Sequence, residues 1–308
     1  MKTTTSSTWT SQRERGSSRL IRLMVWLSLT AGWRLGAVLL YPITLYFFLA
    51  ASQARGASRD YLARVLGRPA GAADVFRHLL NFAAVILDRV FLLSRRDRGY
   101  DITVEGLDRL VAHLQRGGCV LMGAHFGSFD VLRVVGRQAP VPVRPLMYRQ
   151  HGGGLTALLE ALDPALAAAI IDIGQPDTML RVQEAVAQGE MIGILADRSP
   201  GDTRQVTVPF LGSPAAFPAG PWILASVLEV PVVIFYGVRT GSRRYLVRFE
   251  AFSDRLVLNR GTREDDLRAA VGRYAASLEG MCRSWPYNWF NFYQFWSAPP
   301  HASSQNEK

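Results

Sequence analysis

The sequence predicts an α/β protein: a single layered domain with a mixed, mostly parallel central sheet flanked by helices, preceded by a hydrophobic membrane-associating helix. Two observations predict this class. From Val104 onward, short apolar runs typical of buried strands alternate with helical runs. Before that, the 20 residues between Arg34 and Arg55 carry no charge, and as a helix they would span roughly 30 Å, the thickness of the hydrocarbon of a bilayer. A chain of 308 residues without an internal repeat is expected to hold one such domain.

Four segments are expected along the chain: a disordered basic tail at 1–18, a membrane-associating helical segment at 19–56, the α/β domain at 57–298 and a disordered tail at 299–308. The apolar run in the second segment begins too late and is too long for a signal peptide. Pro42 lies within this run and would kink the helix or divide it in two. A buried core helix is the alternative to a membrane anchor.

The body of the chain is expected to begin with two amphipathic helices in 58–93, separated by a break at Gly67-Arg68-Pro69. A helix at 107–116 ends at Gly117 and Gly118, because glycine commonly closes a helix. The next elements are a buried strand at 119–124, a helix reaching about residue 138, a strand at 143–148, a helix at 154–162 and a strand at 168–173.

The second half of the body continues the alternation. A helix at 178–188 is closed by Gly189, and a buried strand at 191–196 leads into a polar loop. A helix at 218–229 precedes a strand at 232–238, which Thr240-Gly241-Ser242 turns into an antiparallel partner at 245–251. The last long helix, at 264–283, has acids at its start and arginine at its end, as the helix dipole favours.

The net charge of +10 is concentrated near the N-terminus, where residues 1–59 carry eight basic side chains and one acid. Because nucleic-acid binding would need a basic face on the folded body, this asymmetry indicates anionic lipid beside an anchor, and no nucleic-acid partner is expected. The body contains no lysine between Lys2 and Lys308, which excludes a catalytic lysine there. Cys119 and Cys282 lie in apolar runs, and neither they nor the five histidines have metal-ligand spacing. We expect no metal and no cofactor.

His125 is the strongest candidate for catalysis. It directly follows the apolar run at 119–124, so it is expected at the edge of the sheet where α/β proteins bind substrates. Gly127 favours a turn, after which the carboxylate of Asp130 can orient the imidazole and stabilise its charged form. Residue types alone favour a structural histidine, and the strand-end context with the two flanking glycines makes the catalytic and structural interpretations about equal.

No nucleophile of the protein's own accompanies this histidine. Ser128 is adjacent but lies outside any GxSxG motif, which occurs nowhere in the chain. The run His151-Gly-Gly-Gly154 is similar to an esterase oxyanion motif, but without that partner a flexible loop is the better interpretation. A base without a nucleophile indicates that the substrate supplies the hydroxyl that is deprotonated.

The sequence resembles the lysophospholipid acyltransferase superfamily, and more closely the branch that contains the late acyltransferases of lipid A biosynthesis. The resemblance covers about residues 30–296 and rests on the His-x4-Asp run at 123–130 together with further blocks in the family's order. These blocks are Pro145-Leu-Met-Tyr-Arg149, Gly193-Ile-Leu-Ala-Asp197-Arg198, Val208-Pro-Phe-Leu-Gly212 with Phe217-Pro-Ala-Gly220-Pro-Trp-Ile-Leu224, and Val230-Pro231-Val-Val.

The resemblance implies a membrane-associated O-acyltransferase. His125 would deprotonate an acceptor hydroxyl for attack on an acyl thioester, with Asp130 orienting the ring. The residues implied in substrate binding are Arg149, Asp197, Arg198, Phe210, Gly212 and Gly220. The two arginines suit a phosphate of donor or acceptor, and ordinary salt bridges to Asp197 or Asp202 are their alternative role.

The implied donor is an acyl carrier protein thioester, with a coenzyme A thioester as the alternative, and the acceptor is a lipid or glycolipid. The implied location is the cytoplasmic (inner) membrane, with the catalytic domain facing the cytoplasm. Two other classes stay open: an esterase or thioesterase that uses the same histidine with water, and a non-catalytic membrane scaffold of this fold.

The C-terminal segment departs from the family's pattern. Residues 285–296 contain eight aromatic side chains and no charge, where the lipid A enzymes carry basic residues. A tail that covers the core, a membrane-interface belt and a wall of the acyl pocket are the three interpretations. The missing charges count against a doubly phosphorylated sugar acceptor, and the tail is more similar to divergent members found with aryl-polyene or other specialised lipid pathways.

Overall fold

The computed structural model describes residues 18–114, 117–136, 142–148, 161–198 and 203–296. The disordered tails expected at 1–18 and 299–308 lie outside these ranges, except for Ser18, which begins the first helix. The helix expected at 154–162 lies outside them except for its last two residues, and Arg149 and the run at 151–154 are also outside.

Helices flank the sheet and form the N-terminal segment; in the described residues they are α1 Ser18–Ala31, α2 Trp33–Ala50, α3 Ser52–Leu66, α4 Ala72–Leu93, α5 Leu107–Leu114, α6 Leu132–Gly136, α7 Pro164–Ala169, α8 Thr178–Ala187, α9 Gly220–Leu228 and α10 Arg263–Ser284. The strands are β1 Asp101–Glu105, β2 Cys119–Gly123, β3 Val143–Met147, β4 Ile171–Asp172, β5 Met191–Leu195, β6 Gln205–Phe210, β7 Ser213–Pro218, β8 Val232–Gly241 and β9 Arg244–Ser253.

The central sheet has seven strands in the order β1-β9-β8-β2-β5-β3-β4. The pairs from β8 to β4 are parallel, β8 and β9 are antiparallel, and β1 is parallel to β9. β2 lies in the middle and is buried along its whole length, as its unbroken apolar run predicts. The expected α/β class, with a mixed and mostly parallel sheet, is confirmed.

Two helices precede the body, and both carry large apolar side chains that are exposed. α1 and α2 are separated at Gly32, whose φ of +91° is a conformation that favours glycine. α2 continues through Pro42 and, among the described residues, is the one helix long and apolar enough to cross a membrane. Its outward face exposes Val38, Tyr46 and Leu49. The boundary predicted at residue 57 falls inside α3.

A buried carboxylate joins α2 to the body. Asp88 in α4 is fully buried and accepts hydrogen bonds from Trp33 Nε1 (2.7 Å), Tyr100 Oη (2.8 Å) and Tyr245 Oη (2.7 Å). Arg239 Nε in β8 lies 3.2 Å from the same carboxylate. A buried carboxylate is stable only when it is paired and hydrogen-bonded, so this cluster fixes the start of α2 against the sheet.

Three elements differ from expectation. The strand predicted at 168–173 is reduced to β4, because its first two residues belong to α7. That helix begins at Pro164, and the Asp163 side chain caps it by accepting the Leu166 N–H (3.0 Å). The edge strand β1 was not predicted. Nor was the separate hairpin of β6 and β7, although β6 alternates regularly between exposed and buried residues, with Pro209 at an exposed position.

Candidate active site

His125 lies two residues beyond the end of β2, at the carboxyl edge of the sheet, as predicted. The chain turns at once, because Gly127 has a φ of +60° and pairs with Gly237 of β8. The approach is so close that a Cβ on Gly127 would lie 1.9 Å from the carbonyl oxygen of Gly237. The two glycines therefore hold the turn after His125 against the neighbouring strand.

Asp197 occupies the corresponding place after β5, the other neighbour of β2. The register pairs Gly123 with Leu195, and Ala196 N–H donates to Gly123 O (2.9 Å). Because the two strands are parallel, their ends bring Asp197 to His125: Oδ1 of Asp197 is 2.8 Å from Nδ1 of the ring and accepts the backbone N–H of His125 at 3.1 Å.

This contact sets the protonation of the ring. Asp197 is fully buried, which by itself would raise its pKa, but the pairing with His125, the charge of Arg198 and the Trp289 N–H hold that pKa well below its usual range. An ionised carboxylate only accepts, so Nδ1 carries a proton and Nε2 of neutral His125 is the basic nitrogen. The His125 side chain is 35% exposed, and no hydrogen bond to its Nε2 is present among the described residues.

The pKa of His125 is lowered from its ordinary value. Burial under protein atoms is the largest cause and the positive charge of Arg198 the second, while Asp197 acts in the opposite direction. The imidazole is therefore neutral, and able to accept a proton, at neutral pH.

The aromatic tail at 285–296 contacts both His125 and Asp197. Trp289 is fully buried and donates from Nε1 to Oδ2 of Asp197 (2.9 Å), while Phe290 N–H donates to the carbonyl of His125 (2.9 Å). Arg198 donates to Phe290 O, and its Nε lies 3.8 Å from Asp197 Oδ2. The tail thus covers the core, one of the three interpretations of its composition, and it also binds the carboxylate on His125.

Asp130 has a different partner from the one expected. Its Oδ2 lies 2.8 Å from Nε of Arg89 in α4, and the Arg89 guanidinium lies over the ring of Phe129, with its carbon 4.7 Å from the ring centroid. Asp130 is buried, and this ion pair ties the turn after His125 to α4. The carboxylate that contacts the imidazole is Asp197, which was expected to bind substrate.

The other residues implied in substrate binding are spread over several environments. Phe210 is fully buried against Trp289 and the end of the tail, so it packs in the core. Gly212 forms the β6–β7 turn with Leu211, both at positive φ, as a tight two-residue hairpin requires. Gly220 begins α9 and has open space beside it. Arg149 lies outside the described residues.

Two residues at the site were missed from sequence. Arg89 gave no local signal, because it is one cation in an amphipathic helix. Trp289 belongs to the uncharged aromatic run, which did signal burial but not a hydrogen bond to a carboxylate.

Neither cysteine nor the adjacent serine is a nucleophile here. Burial raises the pKa of the Cys119 thiol to about 12. Cys282 is fully buried and its pKa is likewise raised by burial. Ser128 is buried, and its N–H donates to Gly237 O (2.7 Å). Within the ranges that the structure describes, no group of three or more His, Cys, Asp or Glu side chains could hold a metal ion.

Comparison with known proteins identifies the family. The profile of the bacterial lipid A biosynthesis acyltransferases matches residues 43–297, which is most of the chain and includes every residue of the site described above. No curated protein matches the sequence significantly. The chain therefore belongs to the bacterial lipid A biosynthesis acyltransferase family and is an acyltransferase, acting between an acyl donor and a lipid acceptor.

Proposed function

We propose that this acyltransferase moves a fatty acyl chain from a thioester to a hydroxyl of a lipid or glycolipid, with His125 as the general base. The observation that carries the proposal is the His125–Asp197 contact of 2.8 Å, which leaves Nε2 as the basic nitrogen at the edge of the sheet. The ring is half-buried and its pKa is lowered, so it is neutral at working pH.

The reaction follows from this protonation state. Nε2 of His125 takes the proton of the acceptor hydroxyl while the hydroxyl oxygen attacks the thioester carbonyl carbon. The tetrahedral adduct then collapses, the carbon–sulfur bond breaks, and the departing thiolate takes the proton from Nε2. Asp197 is the positioning residue in this scheme, since its buried carboxylate holds the ring and stabilises the imidazolium that forms between the two steps.

Asp130 has a supporting role in the proposal. Its ion pair with Arg89 fixes the segment that follows the Gly127 turn, and so fixes the backbone from which His125 projects. The short spacing between His125 and Asp130 thereby serves the geometry of the turn, and the carboxylate on the ring comes from the neighbouring strand.

Charge supports a phosphate-bearing thioester as donor. Arg198 lies beside the imidazole with its side chain 16% exposed, and a guanidinium suits phosphate geometry. Arg149, from the same set of family blocks, is proposed for the same role. An arginine-rich surface favours approach of an acidic acyl carrier protein, with coenzyme A as the alternative carrier.

We place the enzyme at the inner membrane with its catalytic domain in the cytoplasm. The family is membrane-associated, α2 is apolar along its length, and carrier-protein thioesters are cytoplasmic substrates. A basic N-terminal segment beside α2 favours anionic lipid at that surface.

The test is the comparison of His125→Ala with His125→Gln in cells that otherwise lack the protein. Both variants remove the base, but glutamine can still donate to Asp197 and keep the local packing. Mass spectrometry of membrane lipids is expected to show a lipid lighter by one acyl chain in both, and transfer in isolated membranes should fall by at least about 100-fold.

Two outcomes separate this proposal from its alternatives, and one control excludes misfolding. Unchanged acylation with His125→Ala would refute the role of His125 as general base, and this result would favour a non-catalytic scaffold. Release of free fatty acid by the wild type, without an acylated lipid, would instead identify an esterase or thioesterase. Equal melting temperatures of the two variants and the wild type exclude misfolding as the cause of a loss.

A further inference from the structure

A cavity lies between the N-terminal helix α2 and the α/β body. Its volume is about 630 Å³, within the range of sites that bind small molecules. Of the described residues, neither His125 nor Asp197 lines it. Its walls come from α2 and α4, from the turn between β8 and β9, and from the first residues of the tail.

One side of the cavity is apolar. On α2 the lining residues are Trp33, Ala37, Leu40 and Tyr41, which repeat at the spacing of a single helix face. Leu80 and Ala84 of α4 lie one turn apart and face them. The opposite face of α2 exposes Val38 at 64% and Leu49 at 67%. The cavity is therefore directly behind the helix that offers its outer face to a bilayer.

The other side is polar and positively charged. The charged residues of the lining are Arg77 and Arg239. Arg239 is compensated, because its Nε contacts Asp88 at 3.2 Å and its Nη1 donates to Asn81 at 3.0 Å. Arg77 is exposed, lies over the ring of Tyr287 with its guanidinium carbon 4.4 Å from the centroid, and makes no ion pair in the described part of the chain.

The carboxylates near the cavity, Asp88 and Asp74, already have ion-pair and hydrogen-bond partners. Asp88 accepts from Trp33, Tyr100 and Tyr245 in addition to Arg239. Asp74 pairs with Arg68 at 2.8 Å and accepts from Tyr287 Oη at 3.0 Å. Neither carboxylate lines the cavity, so an apolar pocket ends at an uncompensated positive charge.

We propose that this cavity binds a phosphate-bearing lipid, with its hydrocarbon between α2 and α4 and its phosphate on the guanidinium of Arg77. Apolar lining on one side and Arg77 at the rim, which has no ion pair among the described residues, are complementary to an anionic amphiphile. The site is separate from His125, yet Asn288 lines it and its carbonyl accepts Gly127 N–H (2.7 Å) of the catalytic turn.

The experiment is native mass spectrometry of the full-length protein in an uncharged detergent, titrated with dioleoyl phosphatidylglycerol or with dioleoyl phosphatidylcholine. The wild type is expected to retain one phosphatidylglycerol and to prefer it. Arg77→Glu should weaken this retention at least about tenfold, as expected for the loss of a charged contact. Arg268→Glu is the matched control, since Arg268 is exposed on α10 and lies 16 residues, about 24 Å along the helix, before Ser284 of the lining.

A second pair of variants tests the cavity itself. Ala37→Phe fills the lined space, whereas Val38→Phe places the same aromatic side chain on the exposed face of α2. Only the first should reduce retention. Equal retention of both lipids, or equal effects within either pair of variants, would overturn the proposal.

Two further experiments identify which kind of lipid binds and distinguish binding at this cavity from acyl transfer at His125. Displacement of phosphatidylglycerol by a phosphorylated disaccharide glycolipid would assign the cavity to an acceptor-like lipid, and lack of displacement to bulk phospholipid. His125→Ala should retain the lipid as the wild type does, and loss of retention in that variant would refute a separate site.

Discussion

Replacement of Asp197 by asparagine tests the central contact of the site most directly. The buried carboxylate accepts from His125 Nδ1 at 2.8 Å, from the His125 backbone N–H at 3.1 Å and from Trp289 Nε1 at 2.9 Å. An amide has one acceptor oxygen and one donor group, so it cannot accept on both edges. If its NH2 faces the ring, the proton moves to Nε2 and the base is lost; if it faces Trp289, two donors oppose each other.

The expected loss follows from that geometry. The wrong tautomer lowers kcat/KM by about 10² to 10⁴, which is the range for a general base and for its orienting carboxylate. An unpaired buried donor costs about 1–3 kcal/mol of folding free energy, so the variant should fold with a reduced melting temperature. Because Asp197 raises the pKa of His125, its removal also lowers that pKa and moves the acidic limb of the residual activity to lower pH.

The assay uses isolated membranes supplied with an isotopically labelled acyl carrier protein thioester, with the acylated lipid quantified by mass spectrometry between pH 4.5 and 8. The wild-type rate is expected to fall as the pH drops through the lowered pKa of His125, because the base must be neutral. Asp130→Asn is the matched control: it loses the ion pair with Arg89 but should leave the acidic limb in place. If Asp130→Asn moves the limb and Asp197→Asn does not, the assignment of the two carboxylates is reversed.

Two further predictions concern the frame of the site. Gly127→Ala should abolish transfer and destabilise the protein, because its Cβ would lie 1.9 Å from Gly237 O and its φ is +60°. Gly136→Ala is the control, since Gly136 has open space around it, and it should leave transfer and stability unchanged. Normal activity of Gly127→Ala would contradict the close approach. His78 is fully buried, and burial lowers its pKa to about 4, although its contact with Trp289 O at 2.9 Å acts in the opposite direction. The unfolded chain therefore binds the proton more readily, and stability present above pH 6.5 should fall by about 3 kcal/mol as the pH drops to 4. Chemical denaturation of His78→Gln across this range should show a smaller dependence on pH, and an unchanged dependence would assign the effect to other groups.

The sequence predicted those parts of the site that depend on neighbours along the chain. The apolar run before His125 and the glycine after it specify a strand end and a turn, and both are present. The partner of the ring could not be predicted in the same way, because it depends on which strands adjoin. Asp197 is 72 residues away in sequence and meets His125 only because β5 lies beside β2. Asp130 was preferred for its proximity along the chain, and the turn at Gly127 leads it to α4 instead.

The same limit applies to the fold. The prediction succeeded where the patterns are local and strong, as in the apolar runs of β2 and of the first part of β8. The long helix α10 was likewise predicted, from the acids at its start and the arginine at its end. β1, β6 and β7 were missed because edge and hairpin strands have a weaker local signal. For β7, the run Ser213–Pro218 holds two prolines, which argue against a strand in isolation.

The position of the tail explains why it is uncharged. Trp289 donates to the buried Asp197, and Asn288, one residue earlier, accepts Arg239 N–H at 2.8 Å and Gly127 N–H at 2.7 Å. A lysine or arginine at these positions would place an additional buried charge beside Asp197, compete with His125 for that carboxylate and lower the pKa of the ring further. The absence of charge at these two positions therefore fits the proposed catalytic pair, and it is no argument against a phosphorylated acceptor. A phosphate in the active site would be met by Arg198, whose guanidinium already lies at the edge of that pair.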